Sequence, residues 1–220
     1  MLYIVSTPIG NLKDITCRAI ETLKSVDLIA AEDTRHTRIL TRHYNIHTPL
    51  TSYFEHNKVR KGEYLIGLLR GGKNIALVTD AGTPGISDPG YRLIKLAKDN
   101  KIDITVVPGC CALIAALSVS GLPSDSFVFA GFLPGKSIAR KKKLAEFREE
   151  KRTLIFYESP HRLTKTLQDI EETLGDPLVV CVREITKKFE EIIEGRASFL
   201  VQDFEEKKPK GEFVLLVSLI

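Results

Sequence analysis

From residue 80 to residue 90 the chain reads Asp80-Ala81-Gly82-Thr83-Pro84-Gly85-Ile86-Ser87-Asp88-Pro89-Gly90, with three glycines and two prolines. Glycine lacks the Cβ that would obstruct a close approach, and proline pre-sets a turn. Such a run can therefore fold around a ligand and present backbone N–H and C=O groups to it. Asp80 adds a charge at the start. A loop this long between two short regular elements is uncommon without a functional reason. Two shorter runs have the same character, Pro8-Ile9-Gly10-Asn11 and Pro108-Gly109-Cys110-Cys111-Ala112. Neither G-x-x-x-x-G-K-[ST] nor G-x-G-x-x-G occurs, so the loops do not read as a phosphate cradle. A ligand held by backbone amides and apolar walls, such as an adenosine joined to an amino acid, fits them better.

Charged residues form two further groups. Glu32 and Asp33 precede Thr34 and Arg35, and Arg38 comes one turn later. The two acids either act on a ligand or cap the helix that begins near Thr34. Arg35 and Arg38 either grip a phosphate backbone or face water. The segment Lys136 to Arg152 holds Lys136, Arg140, Lys141, Lys142, Lys143, Arg148, Lys151 and Arg152, with Leu144 and Phe147 as its apolar face. That is more positive charge than a solvated stripe needs, and the segment either contacts nucleic acid phosphates or, as charge runs usually do, only faces water.

These residues sit between regular elements. Leu2 to Ser6 reads as a strand, and Leu12, Ile15, Ala19, Leu23 and Val26 form one helical stripe. Further strands read at Leu28 to Ala31, Ile75 to Thr79 and Ile102 to Val107, with helices through Leu93, Leu96 and Ala97 and from Cys111 to Val119. Strand–helix alternation predicts a mostly parallel α/β sheet. Each of the three loops then comes after a strand, where open α/β sheets bind ligands. The turn-rich stretch Ser120 to Ser124 predicts a domain boundary, giving units 1–119 and 120–220. The second unit reads as strands at Ser126 to Leu133, Leu154 to Tyr157, Leu178 to Arg183, around Phe189 to Glu194, and Phe213 to Ile220. A helix carries Leu163, Leu167, Ile170 and Leu174, capped by Gly175. His161, just after Pro160, is either a helix-start residue or a catalytic one.

Hydrophobic residues make up 43% and charged residues 27% of 220 positions, an ordinary globular composition. No basic leader and no long apolar run is present, so a cytoplasmic protein is expected. Cys17, Cys110, Cys111 and Cys181 lack metal-ligand spacing and are expected to be reduced thiols. The net charge of +4 decides nothing by itself.

Several runs are long enough to carry a resemblance: Ser6-Thr7-Pro8-Ile9-Gly10-Asn11-Leu12, Ala31-Glu32-Asp33-Thr34-Arg35, Val78 to Gly90, Phe156-Tyr157-Glu158-Ser159-Pro160-His161-Arg162 and Arg183-Glu184-Ile185-Thr186-Lys187. Through them, in order over essentially the whole chain, the sequence resembles the ribosomal RNA small subunit methyltransferase I family of the tetrapyrrole methylase superfamily. The resemblance implies two α/β domains with S-adenosylmethionine in the cleft between them, a homodimer, and 2′-O-methylation of a cytidine ribose in the decoding region of 16S rRNA. It implies cofactor contacts at Pro8, Ile9, Asp80, Gly82, Gly85, Ile86, Cys110 and Cys111, with Tyr157, Glu158, Arg183 and Gly211 closing the site. The sequence departs from the pattern in two places. Relatives commonly read Pro-Gly-x-Ser-Ala where this chain has Pro108-Gly109-Cys110-Cys111-Ala112, so a hydroxyl contact is expected to become a weaker thiol one. The sequence stops at Ile220, where many relatives continue with a helical segment thought to help with RNA, so RNA docking is expected to differ.

A sulfonium methyl donor is already activated. The protein must align acceptor oxygen, methyl carbon and sulfur and help remove the hydroxyl proton, and this requires no metal. Glu32, Asp33, Glu184 and His161 are candidates for that proton or for ribose orientation. Arg35, Arg38, Lys136, Arg140, Lys141, Lys142 and Lys143 are candidate RNA contacts. The alternatives are a small-molecule methyltransferase acting on a tetrapyrrole ring, against which the basic segment counts, and a non-catalytic RNA-binding protein that keeps the fold.

Overall fold

In the first strand, β1 (Leu2–Val5), Leu2 and Ile4 join one apolar cluster while Tyr3 and Val5 join another, so the strand is covered on both faces. The same period of two splits β4 (Ile75–Val78) into Ile75 and Leu77 on one side and Ala76 and Val78 on the other, all buried. The computed structural model describes residues 1–208 and 210–220. It divides into two units, Met1–Cys111 and Ala112–Ile220.

The first unit adds β2 (Leu28–Ala31), β3 (Leu50–Ser52) and β5 (Ile104–Val107), in the order β3-β2-β4-β1-β5 with every pairing parallel. Helices α1 (Cys17–Ser25) and α2 (Thr34–His43) cover one face through Ala19, Leu23 and Leu40. Helices α3 (Lys58–Arg70) and α4 (Gly90–Asp99) cover the other through Leu65, Ile66, Leu69, Leu93 and Ala97. Helix α1 starts because Thr16 accepts the Ala19 N–H, and α2 because Asp33 accepts the Arg35 N–H.

The second unit is also α/β, with a sheet ordered β6-β7-β10-β8-β9. Its strands are β6 (Phe127–Phe132), β7 (Thr153–Glu158), β8 (Leu178–Arg183), β9 (Glu191–Arg196) and β10 (Phe213–Ser218). β6 runs parallel to β7, and the remaining pairs are antiparallel. Helices α6 (Ser137–Ala145), α7 (Leu163–Leu174) and α8 (Ala197–Lys207) supply Leu144, Leu163, Leu167, Ile170, Leu200 and Phe204 to one core. Gly175 ends α7 in the left-handed conformation, φ +79°. Helix α5 (Ala112–Val119) belongs to this unit, where it lies against β10 and β7 with Leu113, Ala116 and Leu117 buried. The units therefore part at Cys111/Ala112, one helix ahead of the Ser120 to Ser124 turn at which the sequence placed the break. Among the described residues, no helix is long and apolar enough to cross a membrane.

Candidate cofactor site

The order β2-β4-β1-β5 places four parallel strands side by side, so the loops leaving their carboxyl ends are neighbours. The loops after β1, β4 and β5 are hydrogen-bonded into one structure. Thr7 N–H donates to the Gly82 carbonyl at 2.9 Å, and Gly82 N–H returns to the Thr7 carbonyl at 3.1 Å. The Thr7 hydroxyl donates to the Thr79 carbonyl at 3.1 Å. Ser6 and Thr83 share a hydroxyl–hydroxyl hydrogen bond of 2.9 Å, and Thr83 Oγ1 donates onward to the Cys110 carbonyl at 3.0 Å.

Two glycines shape this junction, Gly82 through its positive φ and Gly109 through close approach. Gly82 sits at φ +86°, where a Cβ would meet Ile9 Cγ2 at 3.4 Å and the Cys110 carbonyl at 3.6 Å. A Cβ on Gly109 would stand 2.9 Å from Ser6 Cβ. Asp88 shapes the rest of the long loop by accepting the Gly85 N–H at 2.9 Å and the Gly90 N–H at 2.6 Å. Burial raises its carboxyl pKa despite those amides. Ile86 stands exposed on the loop, while Pro8 is half-buried and Ile9 buried at the junction.

Three carboxylates border the junction. Glu32, at the end of β2, accepts the Thr79 hydroxyl at 2.5 Å and the Asp80 N–H at 3.4 Å, both through Oε2. Asp80 accepts the Asp33 N–H at 3.0 Å through Oδ1. Burial raises the Asp80 carboxyl pKa, against the Asp33 amide and with the help of the Glu32 charge. Asp33 is the α2 cap and is gripped by the Arg35 guanidinium through both oxygens, which holds it well below the usual carboxylate range. Cys110 donates its thiol to the Asp14 carbonyl at 3.3 Å, and burial pushes that thiol up. Cys111 is half-buried beside it.

In the second unit, Glu158 is buried at the end of β7. Its Oε1 accepts the Ser159 N–H at 2.7 Å and its Oε2 the Thr166 hydroxyl at 2.6 Å. Tyr157 packs edge-on against Phe129 and Phe132. Arg183 donates to the Lys210 carbonyl at 2.6 Å and to Glu191 at 3.0 Å. Glu184 (φ +47°) and Gly211 (φ +91°) pack so closely that a Cβ on Gly211 would lie 2.5 Å from Glu184 Cγ. Burial raises the Glu184 carboxyl, but the Glu212 N–H and Lys187 outweigh it and leave the pKa lowered. His161 is exposed ahead of α7.

The basic segment differs most from its reading in the sequence. Arg140 is 2% exposed and donates from Nε to Asp169 at 2.6 Å and from its other nitrogens to the carbonyls of Pro134, Gly135 and Lys165. It is an internal bolt between α6 and α7 and presents nothing to a phosphate. Lys141 pairs with Glu172, Lys143 with Glu146 and Arg152 with Glu150, while Lys136 and Lys142 are exposed.

Sequence reading passed over Ser6, Thr7, Thr79, Thr83 and Asp88. For the first four, small hydroxyls beside glycine loops were the only signal, and the strand order makes them partners; Asp88 acts within its own loop, on Gly85 and Gly90.

The sequence profile of the Tetrapyrrole (Corrin/Porphyrin) Methylases matches residues 1–200. The chain is 50% identical over 99% of its length to the ribosomal RNA small subunit methyltransferase I of Haemophilus influenzae, covering 78% of that protein. Its counterpart in Vibrio cholerae is 52% identical, over 99% of this chain and 76% of its own. The Thermotoga maritima protein of the same name is 47% identical, over 99% and 97%. Among solved structures, a cobalt precorrin-4 methyltransferase superposes with a TM-score of 0.75 at 19% identity, over 99% of this chain and 94% of that one. A uroporphyrin-III-C-methyltransferase from Thermus thermophilus gives 0.67 at 21%, over 99% and 94%. At such identities the two structures speak to the fold alone.

Proposed function

Because the chain belongs to the ribosomal RNA small subunit methyltransferase I family of the tetrapyrrole methylases, we propose that it methylates the 2′-hydroxyl of a cytidine ribose in the decoding region of 16S rRNA. S-adenosylmethionine is the donor, and when bound it supplies a methyl group already activated on a sulfonium. The observation that carries the reading is the joining of the loops after β1, β4 and β5 through Thr7–Gly82 and Ser6–Thr83–Cys110. This junction suits a nucleoside joined to an amino acid: glycine backbone at Gly82 and Gly85 that a ligand can approach without Cβ obstruction, apolar Ile9 and Ile86, and the carboxylate of Asp80. Pro8, Cys110 and Cys111 frame the same junction, and the family relationship adds Tyr157, Glu158, Arg183 and Gly211 from the second unit. It also supports a cytoplasmic homodimer.

Among the candidate proton acceptors, Glu32 is favoured. Asp33 spends both oxygens on Arg35, and Glu184 spends Oε1 on Lys187 and the Glu212 amide. Both of those carboxyls are lowered and so are poor bases. His161 stands exposed with no partner to orient it among the described residues. The Thr79 hydroxyl fixes Glu32 through one oxygen, leaving Oε1 for a substrate hydroxyl.

Mass spectrometry of 16S rRNA tests the proposal. Deleting the gene removes one ribose-methylated cytidine, wild-type protein restores it, and Glu32→Gln does not. An unchanged methylation map after deletion overturns the reading.

A further inference from the structure

Helices α2 and α6 both carry concentrated positive charge, and they differ in what surrounds it. On and after α6, four of the cations meet acids within the same unit: Arg140 with Asp169, Lys141 with Glu172, Lys143 with Glu146, Arg152 with Glu150. Helix α2, Thr34–His43, contains three arginines, two histidines and no acid. Thr37, Leu40 and Thr41 are its buried side, so Arg35, His36, Arg38, Ile39, Arg42 and His43 share the exposed side. Ile39 lies amid the arginines with 60% of its surface exposed. Among the described residues, only Arg35 of the three arginines is ion-paired, at 2.6 Å to Asp33, the cap of its own helix. Arg38 and Arg42 stand one turn apart, a Cβ spacing of about 5–6 Å.

The position of α2 points the same way. It leaves directly from the loop junction, because the Asp33 N–H that precedes it is bonded to Asp80 Oδ1 at 3.0 Å. We propose that the outer face of α2 is a phosphate-binding rail that seats the RNA strand at the entrance to the loop junction. Arg38 and Arg42 are its principal contacts, and Ile39 offers an apolar surface to an unstacked base. The inference rests on the rRNA substrate proposed above and moves the main electrostatic contact from α6 to α2. Charge complementarity selects the occupant: unpaired guanidiniums with no intervening carboxylate suit a run of phosphates.

The test measures binding of a fluorescently labelled small-subunit rRNA fragment spanning the decoding region, by anisotropy over a range of salt concentrations. Arg38→Ala/Arg42→Ala lowers the magnitude of the log K against log [salt] slope by about 1.5, the loss of roughly two phosphate contacts. Arg38→Lys/Arg42→Lys retains most of the slope, and calorimetric affinity for S-adenosylmethionine stays at the wild-type value in both variants, which establishes that the fold is intact. If wild-type protein shows no salt-dependent RNA binding, the substrate reading falls. If wild-type protein binds and the double alanine variant keeps its slope, the rail falls and the substrate reading stands. Binding to polyglutamate in place of RNA, or salt-dependent self-association that the alanine variant abolishes, also overturns the rail.

Discussion

Gly82 couples two loops from a backbone conformation, φ +86°, that residues with a side chain rarely adopt. Valine there must adopt φ +86° and carry two methyls into the space between Ile9 and the Cys110 carbonyl. The strain is about 1–3 kcal/mol. Drawn from the binding-competent loop, it weakens calorimetric affinity for S-adenosylmethionine about tenfold or more. Wild-type affinity in Gly82→Val would detach this loop from the site. Asp80 gives a prediction of the opposite sign for stability. Burial raises its carboxyl above the ordinary 3.8, so the native state prefers the protonated form and ionisation costs stability. That cost is absent at low pH and present in full above the raised pKa. Asp80→Asn keeps an acceptor for the Asp33 N–H and removes the charge. Its thermal midpoint is expected to exceed wild type at pH 7, with the difference shrinking as the pH falls toward 3.8, while cofactor affinity drops. A midpoint difference that does not change with pH would show that desolvation of Asp80 is not the cause.

At the scale of elements, the buried Arg140–Asp169 pair decides how α6 is held. Its side chains are 3% and 6% exposed, and Asp169 also accepts the Ser137 hydroxyl at 2.8 Å. Arg140→Ala leaves that carboxylate buried without its guanidinium and is expected to cost roughly 3–5 kcal/mol in denaturant unfolding. The salt slope of RNA binding by the folded variant stays at the wild-type value. A stable variant with a reduced slope would return Arg140 to the RNA surface. The sequence could not make this distinction, because Arg140 stands among lysines in an uninterrupted basic run and its acid lies 29 positions away on α7. Most strands were legible because they are short apolar runs closed by turn residues, as at Ile75–Val78 before Thr79-Asp80 and at Leu178–Arg183, whereas β3 is three residues with a single apolar one and was not read. Helix α8 was missed: its Ala197, Leu200, Val201 and Phe204 stripe comes after β9 without a turn between them. At the site, the glycine loops were visible as composition. The hydroxyl ladder Ser6–Thr83–Cys110 was not, because it depends on β1 lying between β4 and β5.

For the whole molecule, a bound ligand adds its binding free energy to the stability of whichever unit must unfold to release it. Each unit has its own apolar cores, the first on both faces of the parallel sheet and the second between its sheet and α6, α7 and α8. Either unit can therefore report separately on a bound molecule. The loops proposed to hold the cofactor are continuous with β1, β4 and β5, the middle and one edge of the first sheet. Unfolding that sheet dismantles the Thr7–Gly82 and Thr83–Cys110 links. A ligand bound there stabilises the first unit by about 2.7 kcal/mol at a free concentration one hundred times its dissociation constant. Native-state hydrogen exchange with S-adenosylmethionine should show slower exchange of the amides in β1, β4 and β5, by about a hundredfold where exchange requires that unit to unfold. The family-implied contacts at Tyr157, Glu158, Arg183 and Gly211 predict an accompanying slowing in β7, β8 and β10. Slowing confined to the second sheet would place the cofactor away from the glycine loops, and uniform slowing of every amide would mean that the two units unfold as one.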